Sequence, residues 1–199
     1  MKPPRPLIAV ATALAFSAMP ATAGDTLVQV STIDALIQGI YDGSFTFGAL
    51  KKHGDFGIGT LDDLDGEMLA LDGEFYQFTA DGVAHQIDNA AETPFSAVTF
   101  FKSEKSARLG KTRSMAALQT RLDAETASEN LFYAFRIRGT FSMMSFRSVS
   151  KQKPPYVTLP EVVKHQSVFK LENARGTLVG FRCPPFVKGI NVPGYHFHF

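Results

Sequence analysis

The sequence predicts an α+β protein built mainly of antiparallel β-sheets with a few helices. Three Asp-Gly pairs separate short apolar runs: Asp65-Gly66, Asp72-Gly73 and Asp81-Gly82. Asp-Gly favours the type I′ turn that joins two antiparallel strands. Helical periodicity, in contrast, is confined to short segments of the chain. We therefore predict an antiparallel meander over residues 56–88.

The predicted helices are few and short. A helix is expected to begin at Ser31 and to end at Gly43, because the apolar residues between them recur at positions i, i+3, i+4 and i+7. Residues 114–123 are predicted to form a second amphipathic helix, with Met115 among the residues that face the core. Residues 160–165 provide one or two further helical turns.

The remaining elements are predicted strands. Residues 95–101 form a mostly apolar run of strand length. Two longer strands are predicted on either side of Gly139-Thr140, because this region is rich in aromatic residues, which favour pleated surfaces. Residues 167–171 and 177–182 are interpreted as another hairpin.

Residues 1–23 have the features of a secretory signal peptide. Lys2 and Arg5 precede an apolar run that is too short to span a membrane comfortably, and Ala21-Thr22-Ala23 is typical of a cleavage site. These features favour a signal peptide over the alternative, a transmembrane anchor. We expect cleavage after Ala23, a periplasmic or secreted location, and a mature domain of residues 24–199.

Charge and cysteine content exclude several classes of protein. The formal net charge of the full sequence is +1, and loss of the two positive charges of the signal peptide leaves the mature chain at −1. Such a balance provides no footprint for nucleic acid or for an anionic membrane surface. Cys183 is the single cysteine, so that no internal disulfide is possible and a small buried residue is expected there.

The sequence ends in Gly194-Tyr195-His196-Phe197-His198-Phe199, a His-x-His pair on a predicted strand. Alternate residues of a strand project from the same face, so both imidazoles would face one pocket, as in a zinc site. A catalytic zinc usually has three protein ligands, and the pair therefore requires a third. The alternative is that two histidines lie by chance on a half-exposed strand.

One segment of the sequence contains the motif Leu64-Asp65-Gly66-Glu67, and another leads into the His-x-His pair. Together with three further segments, they resemble the alpha-acetolactate decarboxylase family. The matching segments are residues 51–60, 64–77, 93–101, 147–154 and 176–193. The resemblance covers roughly residues 27–199 and implies two closely packed β-rich subdomains with a metal between them.

The resemblance implies zinc-dependent decarboxylation of 2-acetolactate (2-hydroxy-2-methyl-3-oxobutanoate) to acetoin and CO₂, a step of acetoin biosynthesis. Loss of CO₂ leaves an electron pair that must enter the adjacent ketone as an enediolate. Zinc would stabilise that charge as a Lewis acid, so that no Schiff base, pyridoxal or thiamine site is needed. The resemblance also implies a homodimer. From the charge balance we expect no nucleic acid partner and no membrane contact after removal of the signal peptide.

The resemblance assigns roles to particular residues. His196 and His198 are the expected metal ligands, and Arg147 is expected to bind the carboxylate or the enediolate through its planar guanidinium. Glu67 is the expected proton carrier or hydrogen-bond partner of the substrate hydroxyl, and Thr60 a hydroxyl that lines the pocket. The alternatives are a solvated arginine, a solvated hairpin glutamate and an ordinary strand threonine. His53, His85 and His165 are expected at the surface or in turns, and each is a candidate substitute third ligand.

The resemblance further suggests a C-terminally truncated family member. The family's third histidine, its second glutamate and its last strands lie beyond the His-x-His strand. We therefore expect a catalytically impaired fragment as one alternative to a full enzyme. The other alternative is an exported, non-catalytic module that binds a small hydroxy-keto acid.

Overall fold

The computed structural model describes residues 26–199, which form eleven strands and four short helices. The strands are β1 Val28–Val30, β2 Phe45–Thr46, β3 Phe56–Thr60, β4 Glu67–Leu71, β5 Glu74–Phe78, β6 Ala84–Gln86, β7 Glu92–Thr93, β8 Ser96–Thr99, β9 Tyr133–Ser148, β10 Ser167–Cys183 and β11 Gly194–His198. The helices are α1 Ile33–Ile37, α2 Phe47–Leu50, α3 Met115–Asp123 and α4 Leu159–Val162.

Two sheets dominate the fold. The larger has six strands in the order β1-β8-β3-β4-β5-β6, and the smaller has three in the order β11-β10-β9. Strands β2 and β7 form a separate pair, and every strand pairing in the described residues is antiparallel. The predicted fold class is therefore confirmed. Strands β3 to β6 are the meander predicted over residues 56–88.

The two sheets pack face to face through an apolar core. Phe56 and Ile58 of β3 lie in one cluster with Val179 and Phe181 of β10, and Cys183 is buried at its edge, as predicted. The rings of Phe56 and Phe181 meet edge to face, with centroids 5.9 Å apart. Because this cluster removes the inner faces of both sheets from water, it fixes the position of β10, and of its neighbour β11, relative to β3 and β4.

The smaller sheet differs from its prediction in the length of its strands. The two strands predicted around Gly139-Thr140 are one continuous strand, β9, and the predicted hairpin over residues 167–182 is likewise one strand, β10. Gly139 lies directly opposite Gly176 in the middle of this pair. Gly139 lies at the predicted break between two strands and Gly176 lies between the two predicted hairpin strands, but long-range pairing of β9 with β10 holds both in extended backbone.

The helix predicted from Ser31 to Gly43 is shorter than expected. Ser31 has a φ of +58°, and Thr32 is the N-cap, its hydroxyl accepting a hydrogen bond from the Ala35 N–H at 3.2 Å. The helix ends at Ile37, before Gly39, whose φ is +90°. The positive φ at each end interrupts the helical path that the apolar spacing predicted.

The other predicted helices are present. Helix α3 begins after its N-cap Ser114, as predicted, although Met115 is 45% exposed and does not face the core. Helix α4 and the 3₁₀ turn Val163–His165 correspond to the turns predicted over residues 160–165. Within residues 26–199, no helix has the length and apolar character needed to cross a membrane. The predicted signal peptide lies outside the residues that the structure describes.

One of the three Asp-Gly pairs forms the predicted two-residue turn. Asp72-Gly73 joins β4 to β5 with φ values of +53° and +84°, as a type I′ turn requires. The other two pairs lie in longer connections, and in each of these pairs only the glycine, Gly66 or Gly82, has a positive φ. Arg136 of β9 binds the Asp72 carboxylate with both guanidinium NH₂ groups, at 2.7 and 2.6 Å, and so ties this hairpin to the smaller sheet.

The connection between β3 and β4 is held by a polar cluster around Asp63. The Asp63 carboxylate accepts a hydrogen bond from the Tyr156 hydroxyl and forms an ion pair with Lys151 at 3.0 Å. These contacts lower the pKa of Asp63, the hydrogen bond with Tyr156 having the larger effect. The cluster fastens residues 151–156 to the turn that precedes Glu67.

We predict that Asp63→Asn lowers the free energy of unfolding by about 1 kcal/mol at neutral pH, a typical value for a partly exposed ion pair. Because the folded-state pKa is lowered, this contribution is complete above the unfolded-state pKa of about 3.9 and is lost as the pH falls below it. Urea unfolding of both proteins at neutral and acidic pH measures the effect. The difference in the free energy of unfolding between Asp63→Asn and the unmodified protein should shrink in acid. The exposed control Glu104→Gln should leave the free energy of unfolding unchanged at both pH values. A difference that is constant with pH would contradict the assignment.

Candidate active site

Strand β11 carries the His-x-His pair on its inner face. It pairs with β10 so that His196 lies opposite Phe181, a core residue between the two sheets. The imidazole rings of His196 and His198 lie on the same side of the strand, with centroids 5.1 Å apart. The aromatic residues that alternate with them pack in a separate cluster with helix α3. The alternation predicted from the sequence is therefore present.

The orientation of the His198 ring is set by the main chain of β4. Its Nδ1 lies 2.8 Å from the carbonyl oxygen of Met68. A carbonyl oxygen only accepts hydrogen bonds, so Nδ1 carries the proton and Nε2 carries the lone pair. Nε2 in turn lies 3.5 Å from Oε2 of Glu67. A backbone acceptor that fixes the tautomer in this way is typical of histidines that bind metals.

Both histidines are neutral at physiological pH. Burial lowers the pKa of His196 to about 3, with smaller effects from His198 and from the charge of Arg147. Burial also lowers the pKa of His198 to about 4, against the opposing effect of its bond to Met68. Nδ1 of His196 is buried and has no hydrogen-bond partner among residues 26–199. Each imidazole thus has the protonation state that a metal ligand requires.

Glu67 is placed beside His198 by the start of β4. It lies opposite Thr60 of β3 and opposite Phe78 of β5. Burial raises its pKa to about 7, although the positive charge of Arg147 acts in the other direction. A third of the side-chain surface remains accessible. A carboxyl group in this state can hold a proton at neutral pH and exchange it with a ligand in the pocket.

Thr60 is the cross-strand neighbour of Glu67, and its side chain is buried. Its hydroxyl donates a hydrogen bond to the Gly66 carbonyl at 2.6 Å, which closes the connection between β3 and β4. This contact holds the residue that precedes Glu67. A direct role of the Thr60 hydroxyl towards substrate stays a prediction.

Arg147 is the penultimate residue of β9 and is exposed. The positive charge of Arg147 lowers the pKa values of both Glu67 and His196, so its guanidinium is within electrostatic reach of these two groups. The roles of Arg147, Glu67 and the two histidines stay predictions.

The three other histidines do not join the pair. His53, His85 and His165 are exposed. Within residues 26–199, no group of three or more His, Cys, Asp or Glu side chains is arranged to hold a metal ion. The suggestion that one of these histidines replaces the third ligand has no support in the described part of the chain.

Comparison with known proteins places this geometry in a family. The sequence model of the family described as alpha-acetolactate decarboxylase matches residues 27–199. The chain belongs to the alpha-acetolactate decarboxylase family. The resemblance predicted from the sequence motifs is thereby confirmed.

Individual members of the alpha-acetolactate decarboxylase family agree with this assignment. The chain is 54% identical over 177 residues to an alpha-acetolactate decarboxylase of Methanosarcina mazei, covering 89% of this chain and 62% of that protein. It is 42% identical over 173 residues to one from Bacillus subtilis, covering 87% of this chain and 68% of that protein. The chain thus spans about two thirds of the length of these relatives.

Solved structures of alpha-acetolactate decarboxylases share the fold. The crystal structure from Bacillus subtilis strain 168 matches with a TM-score of 0.85 and 42% identity, over 87% of this chain and 74% of that one. A Staphylococcus aureus protein of unknown function, described as similar to alpha-acetolactate decarboxylase, matches with a TM-score of 0.82 and 34% identity, over 87% of this chain and 74% of that one.

The donor set of this alpha-acetolactate decarboxylase family member fits two positions of a zinc site. Zinc prefers neutral imidazole nitrogen, and a ligating histidine usually donates its second ring N–H to a carbonyl or carboxylate oxygen. His198 meets both conditions, and His196 has a buried ring nitrogen without a protein partner. His196 and His198 are therefore the residues that would hold the ion.

Sequence analysis of this acetolactate decarboxylase family member missed the contribution of Met68. Its carbonyl oxygen orients His198, but a backbone acceptor leaves no trace in the type of side chain. The contact depends on the packing of β11 against β4, two strands that are far apart in sequence. Only the continuous apolar run of residues 68–71 indicates that β4 is close to another layer.

The position of the His pair depends on a close approach of the main chain at Gly180. A Cβ at this position would overlap the carbonyl oxygen of His196, on the neighbouring strand. We predict that Gly180→Ala displaces β11 and destabilises the fold by about 1–3 kcal/mol, the usual cost of overpacking. Zinc affinity should fall as well.

Thermal unfolding and zinc titration of Gly180→Ala measure both effects. Gly139→Ala is the matched control, because a Cβ there would meet only ordinary contacts with the Phe141 ring. Equal effects of the two substitutions would contradict the proposed role of the close approach at Gly180.

Proposed function

We propose that this protein decarboxylates 2-acetolactate to acetoin and CO₂, a reaction of acetoin biosynthesis, with a zinc ion to which His196 and His198 would supply two of the ligands. The observation that carries the proposal is the 3.5 Å approach of Glu67 to the unprotonated Nε2 of His198, in a chain of the alpha-acetolactate decarboxylase family. A metal ligand and a group that can hold a proton thus share one pocket.

The chemistry requires one electron sink and one proton. When the bond between the carboxylate carbon and C2 breaks, its electron pair forms a double bond between C2 and C3, and the negative charge passes to the ketone oxygen. Protonation at C2 then gives acetoin, so that one proton is consumed for each CO₂ released. A bound zinc ion would supply Lewis-acid stabilisation of the charge that develops on oxygen.

The chain supplies groups for both requirements. Arg147 would bind the anionic substrate through its guanidinium, whose planar fork fits a carboxylate or an enediolate. Glu67 would hold the proton on its carboxyl group and transfer it to C2, or accept a hydrogen bond from the substrate hydroxyl. The raised pKa of Glu67 supports a proton-carrying role, because both of its protonation states are accessible near neutral pH.

The experiment is a direct assay of acetoin formation. Purified protein is incubated with 2-acetolactate, with and without added zinc, and acetoin is measured against the rate of spontaneous decarboxylation. The proposal predicts acetoin formation that requires zinc. If the protein binds the substrate but forms no acetoin above the spontaneous rate, the non-catalytic binding module is the better description.

Export is proposed from the features of residues 1–23 that indicate a signal peptide. We predict that the protein recovered from the periplasm or the medium begins at Gly24. Mass spectrometry of the intact protein checks this start. A soluble cytosolic product that retains Met1 would contradict it.

A homodimer is the proposed assembly, as the family resemblance implies. Light scattering of the purified protein at several concentrations measures its mass. A mass that corresponds to a single chain at every concentration would overturn this proposal.

A further inference from the structure

The last residues of β9 and β5 meet beside the proposed active site. Ser148 ends β9 and directly follows Arg147, while Phe78 ends β5 and lies opposite Glu67 in the larger sheet. This junction therefore connects β9, which carries Arg147, to β5, which pairs with the strand that carries Glu67. The two strands belong to different sheets.

A hydrogen bond between Ser148 and Phe78 closes the junction. Ser148 is completely buried, and its hydroxyl donates a hydrogen bond to the carbonyl oxygen of Phe78 at 2.7 Å. Neither strand pairing nor helix formation requires this bond. Ser96 provides a contrast, because it is also completely buried but its hydroxyl has no hydrogen-bond partner among residues 26–199.

The residue on the other side of Arg147 contacts the same partner. The rings of Phe146 and Phe78 meet edge to face at 5.1 Å, and Phe169 of β10 packs on both, at 5.4 Å from Phe146 and 5.5 Å from Phe78. Alternate residues of a strand share a face, so Phe146 and Ser148 both project towards β5. The main chain at Arg147 is thus held from both sides against the neighbour of Glu67.

We propose that Ser148 is a positioning residue, which holds Arg147 at a fixed place relative to Glu67 through its bond to Phe78. The proposal rests on the proposed function in one respect, namely that Arg147 binds the carboxylate of the substrate. The placement of the Arg147 main chain is independent of that function and can be measured separately. Ser148 acts through Arg147 and need not touch the substrate.

The test compares binding of a stable substrate analogue by variants of the full chain loaded with zinc. The probe is 2,3-dihydroxy-2-methylbutanoate, which keeps the carboxylate but lacks the ketone and so does not decarboxylate. Ser148→Ala should weaken binding about three- to tenfold, the size expected for the loss of one hydrogen bond. Ser148→Thr, which keeps the hydroxyl, should restore affinity, and the control Ser96→Ala should leave it unchanged.

A double-mutant cycle separates positioning from general stability. If Ser148 acts through Arg147, Ser148→Ala should have no further effect on affinity in an Arg147→Ala background. A merely structural role would weaken binding equally in both backgrounds, and that result would overturn the proposal. The proposal would also be overturned if the single variant Ser148→Ala, with Arg147 intact, bound the analogue as tightly as the unmodified protein does. Ser148→Cys, of similar volume but with a weaker donor, provides the same comparison if the alanine variant does not fold.

Amide hydrogen exchange decides the case in which the unmodified protein neither binds the analogue nor forms acetoin. That result would overturn the proposed function but not the positioning claim. Ser148→Ala should then still accelerate exchange in residues 146–149, and Ser96→Ala should not. Equal exchange in Ser148→Ala and the unmodified protein would overturn the positioning claim itself.

Discussion

Glu67→Gln should lower kcat for acetoin formation by roughly 10²–10⁴-fold, the usual contribution of a positioned general acid or base. Glutamine has almost the same shape and can still form hydrogen bonds in the pocket, but it cannot hold and release the proton that C2 requires. The fold and the affinity for zinc should therefore change little. Steady-state kinetics with zinc-loaded protein measures the effect.

Glu74→Gln is the matched control for this substitution. Glu74 lies on the neighbouring strand β5, is exposed, and bonds only to Gln86 among the polar side chains of residues 26–199. It should leave kcat unchanged. A Glu67→Gln variant that retains kcat within a factor of a few would remove Glu67 from the proton transfer, and Arg147 or solvent would then have to supply the proton.

His198→Ala should weaken zinc binding by more than about 100-fold. Loss of an outer partner of a metal ligand alone typically costs 10–100-fold in affinity, and this substitution removes the ligand itself. It also leaves the carbonyl oxygen of Met68 without the hydrogen bond from Nδ1. Zinc titration against a competing chelator measures the affinity, and acetoin formation should fall in parallel.

The control for this second substitution is His85→Ala. His85 lies on the edge strand β6 and is exposed. Loss of the His85 imidazole should therefore leave zinc affinity unchanged. Equal affinities of the His198→Ala variant and the unmodified protein would show that zinc binds elsewhere in the chain.

Local patterns in the sequence predict much of the site. The alternation of residues 194–199 places both imidazoles on one face of β11, and the Asp72-Gly73 turn aligns β4 with β5, so that Glu67 lies opposite Phe78. These features depend on near neighbours in sequence. For the same reason, the meander over residues 56–88 and helix α3 are predicted correctly.

Features that depend on distant residues are not predictable from those patterns. Gly139 and Gly176 each lie where the sequence indicates a break between strands. In the structure they lie opposite each other in β9 and β10, which a long connection separates in sequence. The Met68 carbonyl and the Ser148 hydroxyl gain their roles only when β11 and β9 approach the larger sheet. The helix predicted to begin at Ser31 likewise begins later, after its N-cap Thr32, because the backbone of Ser31 itself has a positive φ.

The most direct test of the account is the rate of acetoin formation while metal-free protein is titrated with zinc. The account predicts no acetoin above the spontaneous rate in the absence of metal, and a rate that rises in proportion to zinc bound at the His196 and His198 pair. The same titration of His198→Ala should give no such rise. Acetoin formation at an equal rate with and without zinc would contradict the account. So would protein that has bound zinc at the His196 and His198 pair but forms no acetoin above the spontaneous rate.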